Sequence, residues 1–304
     1  MDGIFVIDKP QGVTSHDVVA RVRRIIRRPS PAPRDKVGHA GTLDPMATGV
    51  LPVVVGAATR LVEYLSDADK EYRAVVMLGA TSDTYDREGT ITPTPGFVAP
   101  NLEAIEQALG AFRGEIEQVP PMHSALKVGG KKLYELARQG VEIERKARRV
   151  TISRLEIEDY SPPALKILIE CTKGTYIRSL AYDLGVALGT GAYLSELLRT
   201  RVGSFTLEDA ITLEALEEAF ARGTWQDSLR PPESILLDWP VYNVDETQEQ
   251  AVLHGKALQL SSRPTDSNGS MALRSPNGSL LAIAEWDEVS GLWHPKKVFG
   301  MAGR

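Results

Sequence analysis

Residues 38–60 read GHAGTLDPMATGVLPVVVGAATR, and between Lys36 and Arg60 one side chain carries a formal charge, Asp44. A solvated loop would hold more polar groups, and a core strand would hold no acid. Burying an unpaired carboxylate is costly, so Asp44 either caps a helix or is kept isolated for chemistry. A carboxylate is a suitable covalent catalyst, which is one chemistry such an isolated acid could serve. Gly41 and Thr42 before it are small enough to let a substrate approach.

Other chemistries that spacing can signal are missing. His16, His39, His123, His254 and His294 show neither H-x-x-x-H nor H-E-x-x-H, and no metal is expected. One cysteine, Cys171, permits no disulfide and no cysteine zinc site within the chain, and core packing near Ile169 is its expected role. G-x-G-x-x-G and G-x-x-x-x-G-K-[ST] are both absent, which argues against a nucleotide-powered enzyme, and no cofactor is expected.

At 304 residues, 42% hydrophobic and 25% charged, the chain suits a globular protein with one large domain and one small one. No apolar run approaches the roughly 20 residues of a membrane helix. MDGIFVIDKP turns charged too soon for a secretory signal, so a cytoplasmic location is expected. No hydrophobic seam announces an interface, and a monomer is expected. The net charge of −5 hides strong segregation. Residues 19–36 hold seven basic side chains against one acid, and residues 121–150 hold eight against three. Residues 205–249 hold eleven acids and two arginines. A polyanion feels the local field rather than the sum. Solvated helix faces explain either basic patch alone; two in one chain favour a nucleic acid.

The elements that must position Asp44 follow from patterning. GIFVI (3–7) reads as a strand, and T-S-H-D gives Thr14 and Asp17 the spacing of a helix start. Val18, Val19, Val22, Ile25 and Ile26 then share a helical face that ends at Pro29. KEYRAVVMLG begins a strand that runs into a polar loop, NLEAIEQALGAF is a helix, and VTISRLEIEDY and ALKILIEC are strands separated by Ser161-Pro162-Pro163. A helix follows Gly174, and 205–238 reads as acidic and helical. After Trp239-Pro240, short strands between Gly, Ser and Asn turns mark a small β-rich domain. The fold class is α+β or mixed, with domains at 1–240 and 241–304.

GHAGTLDPMATGVLP resembles the catalytic motif of TruB-type tRNA pseudouridine synthases. DKPQGVTSHD resembles that family's first motif and KEYRAVVMLGATSDTYDREG its tyrosine strand. QVPPMHSALKVGGKKLYELARQGVEIERKARRV resembles the insertion of the bacterial branch, with His123 where a tyrosine is usual. CTKGTYIRSLAYDLG and YLSELLRTRVGSF resemble the last two catalytic motifs. The resemblance implies a catalytic domain with a mixed or antiparallel sheet, an RNA-gripping insertion at about 120–150 and a PUA-like C-terminal domain. It implies isomerisation of uridine-55 in the T-loop of tRNA to pseudouridine.

By the same resemblance Asp44 is the nucleophile, Arg178 its cationic partner, and Tyr72 the aromatic that stacks on uracil and handles a proton. Tyr176 and Leu197 line the pocket, His39 fills the place of the extruded base, and Lys9 supports the loop or a phosphate. Lys127, Lys131, Lys132, Arg145, Arg148 and Arg149, with Tyr134 among them, belong to the RNA clamp. Two rival readings remain at this stage. One is a Mg²⁺-dependent phosphotransferase using Asp8, whose DKPQGVTS departs from D-K-T-G-T at Pro10 and Gln11. The other is a non-catalytic tRNA-binding or tRNA-folding protein on the same scaffold.

Overall fold

Asp44 lies between two strands that belong to one large sheet, and the sheet is built from the most apolar segments of the chain. The computed structural model describes residues 1–27, 36–124, 126–128, 131–133, 141, 143–237, 239–260 and 269–299. Arg28, Pro29, Tyr134 and Arg138 lie outside the described residues.

The N-terminal part runs β1 (Gly3–Lys9), α1 (Ser15–Arg27), β2 (Val37–His39), β3 (Thr48–Val55), α2 (Val62–Asp67), β4 (Lys70–Leu78), β5 (Ala80–Ser82) and β6 (Ile91–Pro93). It continues through α3 (Leu102–Gly110), β7 (Gly114–Gln118), β8 (Lys127–Val128) and β9 (Lys131–Lys132). Then come β10 (Arg148–Ser161), β11 (Ala164–Cys171), α4 (Ile177–Ala187), β12 (Ala192–Val202), β13 (Phe205–Thr206), α5 (Leu213–Arg222) and β14 (Leu229–Arg230). The last part holds β15 (Val241–Asn243), α6 (Glu246–Leu253), β16 (Ser270–Arg274), β17 (Leu280–Asp287) and β18 (Leu292–Val298).

The main sheet is ordered β14-β1-β3-β12-β4-β11-β10-β7, with β2 added to β3 and β13 to β12. Its neighbours are antiparallel except β3 and β12, which run parallel with Leu198 opposite Thr48 and Arg199 opposite Gly49. One face is covered by α1 (Val18, Val19, Val22, Ile25), α3 (Ile105, Leu109), α4 (Ile177, Leu180, Leu184) and α5 (Leu213, Leu216, Phe220). Ile4, Val6, Val50, Val54 and Val202 pack on the other side with Ala58, Leu65 and Phe205. Helices against a mostly antiparallel sheet make this an α+β fold.

The C-terminal sheet, β15-β16-β17-β18, has its own core around Val252, Leu273, Ala282 and Trp293. It is seated on the first unit through Leu61, Leu236, Ala272, Leu280 and Ile283. Arg60 closes the seam, lying 5.0 Å from the Phe299 ring centroid and donating to the Val298 carbonyl at 2.6 Å.

Thr14 and Asp17 do start α1: Asp17 accepts from the Thr14 amide at 2.9 Å, and the Thr14 hydroxyl accepts from the Asp17 amide at 3.1 Å. Residues 205–238 differ from the helical reading. The α-helix there is Leu213–Arg222, and the other elements among the described residues are short 3₁₀ turns and the strands β13 and β14. Gly223 ends the helix in the left-handed region at φ +77°, and Pro231–Pro232 open a separate 3₁₀ turn. Residues 192–202, for which patterning assigned no element, form the strand at the centre of the sheet.

The junction of β3 and β12 depends on Gly49. Its φ is +97°, and a Cβ there would lie 2.2 Å from the Arg199 carbonyl oxygen. Gly49→Ala therefore adds left-handed strain and backbone overlap, a loss on the order of 3 kcal/mol. Denaturant unfolding followed by circular dichroism checks this against Gly96→Ala, where φ is +68° but nothing lies within 4 Å. Equal stabilities for the two variants would show that the strands can part at Gly49.

Candidate active site

The loop carrying Asp44 is held from below by the segment after β1. Lys9, 0% exposed, sends its ammonium to the carbonyls of Pro10, Pro45 and Ala47 at 3.0, 3.3 and 2.7 Å. The Gly12 amide donates to the Pro45 carbonyl at 2.8 Å. The Ser15 hydroxyl accepts from the Leu43 amide at 2.8 Å and donates to the Leu43 carbonyl at 3.1 Å. A turn from the Ala47 amide to the Asp44 carbonyl, 3.1 Å, completes the cradle. With its backbone fixed on both sides, the loop presents Asp44 to a cavity of about 360 Å³.

Opposite stands the start of α4. Tyr176 at its N-cap has no side-chain cap of its own. Gln118 substitutes, accepting from the Tyr176 amide at 2.7 Å and donating to its carbonyl at 3.0 Å. Arg178, 5% exposed, meets Asp44 at two points: an ion-pair contact of Nε with Oδ2 at 2.9 Å and a hydrogen bond from Nη2 to Oδ1 at 3.2 Å. Its remaining donors go to Asp86 Oδ2 at 3.2 Å, the Thr84 carbonyl at 3.4 Å and the His123 carbonyl at 2.7 Å. Asp86, 3% exposed, is itself fixed by the Thr84 hydroxyl at 2.6 Å and the Glu88 amide at 3.0 Å. Tyr85, next to it, takes φ 65° and stacks on Tyr182 at 4.1 Å. Left-handed backbone at a tyrosine costs energy and marks a segment held for a purpose.

The Asp44 side chain is 35% exposed, and that exposure opens into the cavity. Burial raises its carboxyl above the usual carboxylate range, with Arg178 pulling the other way and Asp86 adding to the rise. Lys9 is lowered to about 8, chiefly by burial, and Asp44 opposes that shift. Burial likewise lifts the hydroxyls of Tyr72 and Tyr176 above the ordinary tyrosine value.

Asp44, Tyr72, Tyr176, Arg178 and Leu197 all line this one cavity. Lys9 does not: it is sealed beneath the loop, a support of backbone carbonyls rather than a contact for substrate. His39 sits outside the lining, half-buried on β2, its Nδ1 buried without a partner. Burial and the nearby Arg199 keep His39 below the usual histidine value. In the insertion, β8 and β9 form a hairpin with Lys127 opposite Lys132. Arg148 is exposed on β10, Arg149 lies 3.5 Å from Glu115, and Arg145 donates to the Pro120 carbonyl at 3.1 Å. Arg145 is thus anchored to the base of the insertion.

Sequence reasoning missed three groups: Asp86, Lys70 and Arg199. Lys70 and Arg199 line the cavity; Lys70 donates to the Ser66 and Ala68 carbonyls and is lowered to about 8 by burial. The signal for the two cations was strand periodicity. Lys70 and Tyr72 on β4, and Leu197 and Arg199 on β12, are two residues apart and therefore share a face.

The TruB family pseudouridylate synthase N-terminal domain matches residues 27–177, and the tRNA pseudouridylate synthase B C-terminal domain matches 178–237. The two matched regions meet at α4 and contribute to the same sheet. A tRNA pseudouridine synthase B of Dehalococcoides mccartyi (strain CBDB1) is 45% identical over 299 residues, covering 98% of this chain and 97% of the relative. Another, from Azoarcus sp. (strain BH72), is 44% identical, covering 98% and 95%. Among solved structures, an H/ACA RNP bound to a substrate RNA containing 2'-deoxyuridine matches with a TM-score of 0.75 and 27% identity, covering 98% of this chain and 84% of that one. A Cbf5-Nop10-Gar1 complex matches with a TM-score of 0.75 and 29% identity, covering 97% and 84%.

The buried Arg178–Asp86 pair gives a prediction independent of activity. Asp86→Ala leaves a buried guanidinium without one of its counter-charges and is expected to cost about 3 kcal/mol of stability. Asp86→Ala combined with Arg178→Met removes both charges and is expected to recover part of that loss. Chemical denaturation of the three proteins checks it; a double variant less stable than Asp86→Ala would contradict it.

Proposed function

Because the chain belongs to the TruB family of pseudouridylate synthases, we propose that it isomerises uridine-55 in the T-loop of tRNA to pseudouridine, with Asp44 as nucleophile. The observation that carries this reading is the Asp44–Arg178 ion pair, in contact at two points and facing the cavity. The reaction exchanges an N1–C1′ bond for a C5–C1′ bond. It needs an ionised nucleophile, a proton-handling group and a site that keeps the detached uracil from leaving. Arg178 supplies the positive charge that favours the ionised carboxylate. Tyr72 offers a ring face to the base and a hydroxyl for proton transfer, while Tyr176 and Leu197 supply apolar wall.

A uridine stacked in a folded loop must be turned out to reach Asp44. On this reading His39, on the strand before the Asp44 loop, takes up the space the base leaves. Arg148, exposed on β10, offers a cation for the phosphates of the T-stem-loop, and Lys127, Lys131 and Lys132 are assigned to the same role by their charge. The C-terminal sheet acts as a PUA-like RNA-binding domain, from about residue 241 onward. The protein works as a cytoplasmic monomer on this reading; among the described residues no helix is long and apolar enough to cross a membrane.

An unmodified tRNA transcript tests it, in EDTA and without nucleotide. Wild type is expected to form pseudouridine at the T-loop uridine, and Asp44→Asn to form none while its tRNA affinity stays within about threefold. Arg178→Lys keeps a charge but loses the two-point contact, so its single-turnover rate is expected to drop on the order of 100-fold. Pseudouridine formed equally by wild type and Asp44→Asn would remove Asp44 as nucleophile. Tight tRNA binding with no pseudouridine from wild type would leave a binding protein.

A further inference from the structure

Arg199 is 1% exposed, yet among the described residues no carboxylate lies within ion-pair distance of it. Its Nε donates to the Val50 carbonyl at 2.8 Å and its Nη2 to the Gly41 carbonyl at 3.0 Å. These bonds pin the guanidinium between the loop that carries Asp44 and the strand that leaves it. Across the sheet, Arg199 on β12 stands directly opposite Tyr72 on β4, and both side chains line the cavity. Burial lifts the Tyr72 hydroxyl above its ordinary value, and the charge on Arg199 opposes that rise. Such a buried, unneutralised cation is costly to keep unless something anionic uses it.

The other cations of the site are committed elsewhere. Arg178 spends its donors on Asp44, Asp86 and two carbonyls, and Lys70 donates to the carbonyls of Ser66 and Ala68. Neither stands across the sheet from Tyr72. We propose that Arg199 is a positioning residue for Tyr72: it fixes the hydroxyl in the cavity and bears the countercharge while that hydroxyl is without its proton.

The proton count of the reaction gives this a purpose, and here the inference rests on the function proposed above. When uracil changes its attachment from N1 to C5, it gains a proton at N1 and loses one from C5. Tyr72 can do both. Asp44 bonds to C1′ as the N1–C1′ bond breaks, and the Tyr72 hydroxyl gives its proton to N1, leaving a phenolate. When C5 bonds to C1′ the Asp44–C1′ bond breaks and returns the carboxylate; the phenolate then takes the C5 proton, and the electron pair of that C–H bond restores the C5–C6 double bond. The tyrosine ends as it began. A phenol neutral at rest suits this cycle, and Arg199 stabilises the one charged stage in it.

Two measurements test the assignment. In the first, 3-fluorotyrosine is placed at position 72 of the free protein and titrated by fluorine NMR. The phenol midpoint is expected to lie at least one unit higher in Arg199→Gln than with the native arginine, with Arg199→Lys between them. A midpoint unmoved in both variants would overturn the proposal, whatever reaction the protein catalyses. In the second, single-turnover rates are compared at saturating tRNA. Arg199→Gln is expected to lose on the order of 100-fold in rate with tRNA affinity nearly unchanged, Arg199→Lys to recover part of it, and the same loss to shrink below about threefold in a Tyr72→Phe background. A full loss in that background would show that Arg199 acts through the loop alone and not through Tyr72. If wild type makes no pseudouridine, the reading of the reaction fails, and the fluorine titration still decides the role of Arg199. Thermal melts identify any variant that fails to fold, in which case Arg199→Lys carries both comparisons.

Discussion

One guanidinium organises this site. Arg178 binds two carboxylates and two backbone carbonyls from three different segments, and it is buried while doing so. A buried charge tolerates few geometries, since each lost partner leaves an unmet donor in a poorly solvated place. The position of Asp44 is therefore set by everything that sets Arg178. The strained turn at Tyr85 delivers Asp86, the end of β7 delivers Gln118 to the start of α4, and the first turn of the insertion delivers the His123 carbonyl. The insertion that is read as gripping RNA thus touches the Asp44–Arg178 pair directly, through 2.7 Å of hydrogen bond.

The second half of the design is the cradle under residues 43–47. Lys9, Gly12 and Ser15 together bind backbone groups of Leu43, Pro45 and Ala47, and these come from a segment separated from the loop by the whole of α1. Rigid support of this kind keeps a nucleophile within the small tolerance that an in-line attack allows. The parallel contact of β3 and β12 then brings Arg199 under the same loop. Asp44 is held from one side by an ion pair and from beneath by hydrogen bonds to backbone, so its carboxylate has little freedom other than toward the cavity.

Much of this was legible in the sequence, because isolation of one carboxylate among small residues is itself unusual. The helix start at Thr14–Asp17, the hairpin of β10 and β11 and the change of character after Trp239 were readable from turn chemistry and period-two patterning. The centre of the sheet was not. YLSELLRTRV places three charged side chains along eleven residues of β12, and two of them are accommodated by partners that no local pattern reveals: Arg201 meets Glu170 of β11, and Arg199 meets carbonyls of β3 and the Asp44 loop. Lys9, read by resemblance as supporting the loop or a phosphate, supports the loop; the carbonyls it satisfies lie 36 and 38 residues away, beyond the reach of any local pattern. Asp86 was hidden among the polar residues of SDTYDREG, whose fold depends on a left-handed tyrosine.

The central claim is that Arg178 keeps Asp44 available as an ionised nucleophile against the pull of burial. A carbon-13 titration of the Asp44 carboxyl, by NMR of the aspartate-labelled protein, tests it directly. In wild type the midpoint should lie above the usual aspartate value, since burial outweighs the arginine. Removing the arginine in Arg178→Gln should move it higher still. Because the nucleophile acts ionised, the acid side of the pH–rate profile should move up by the same amount. A midpoint that stays put or falls when Arg178 is removed would contradict the account.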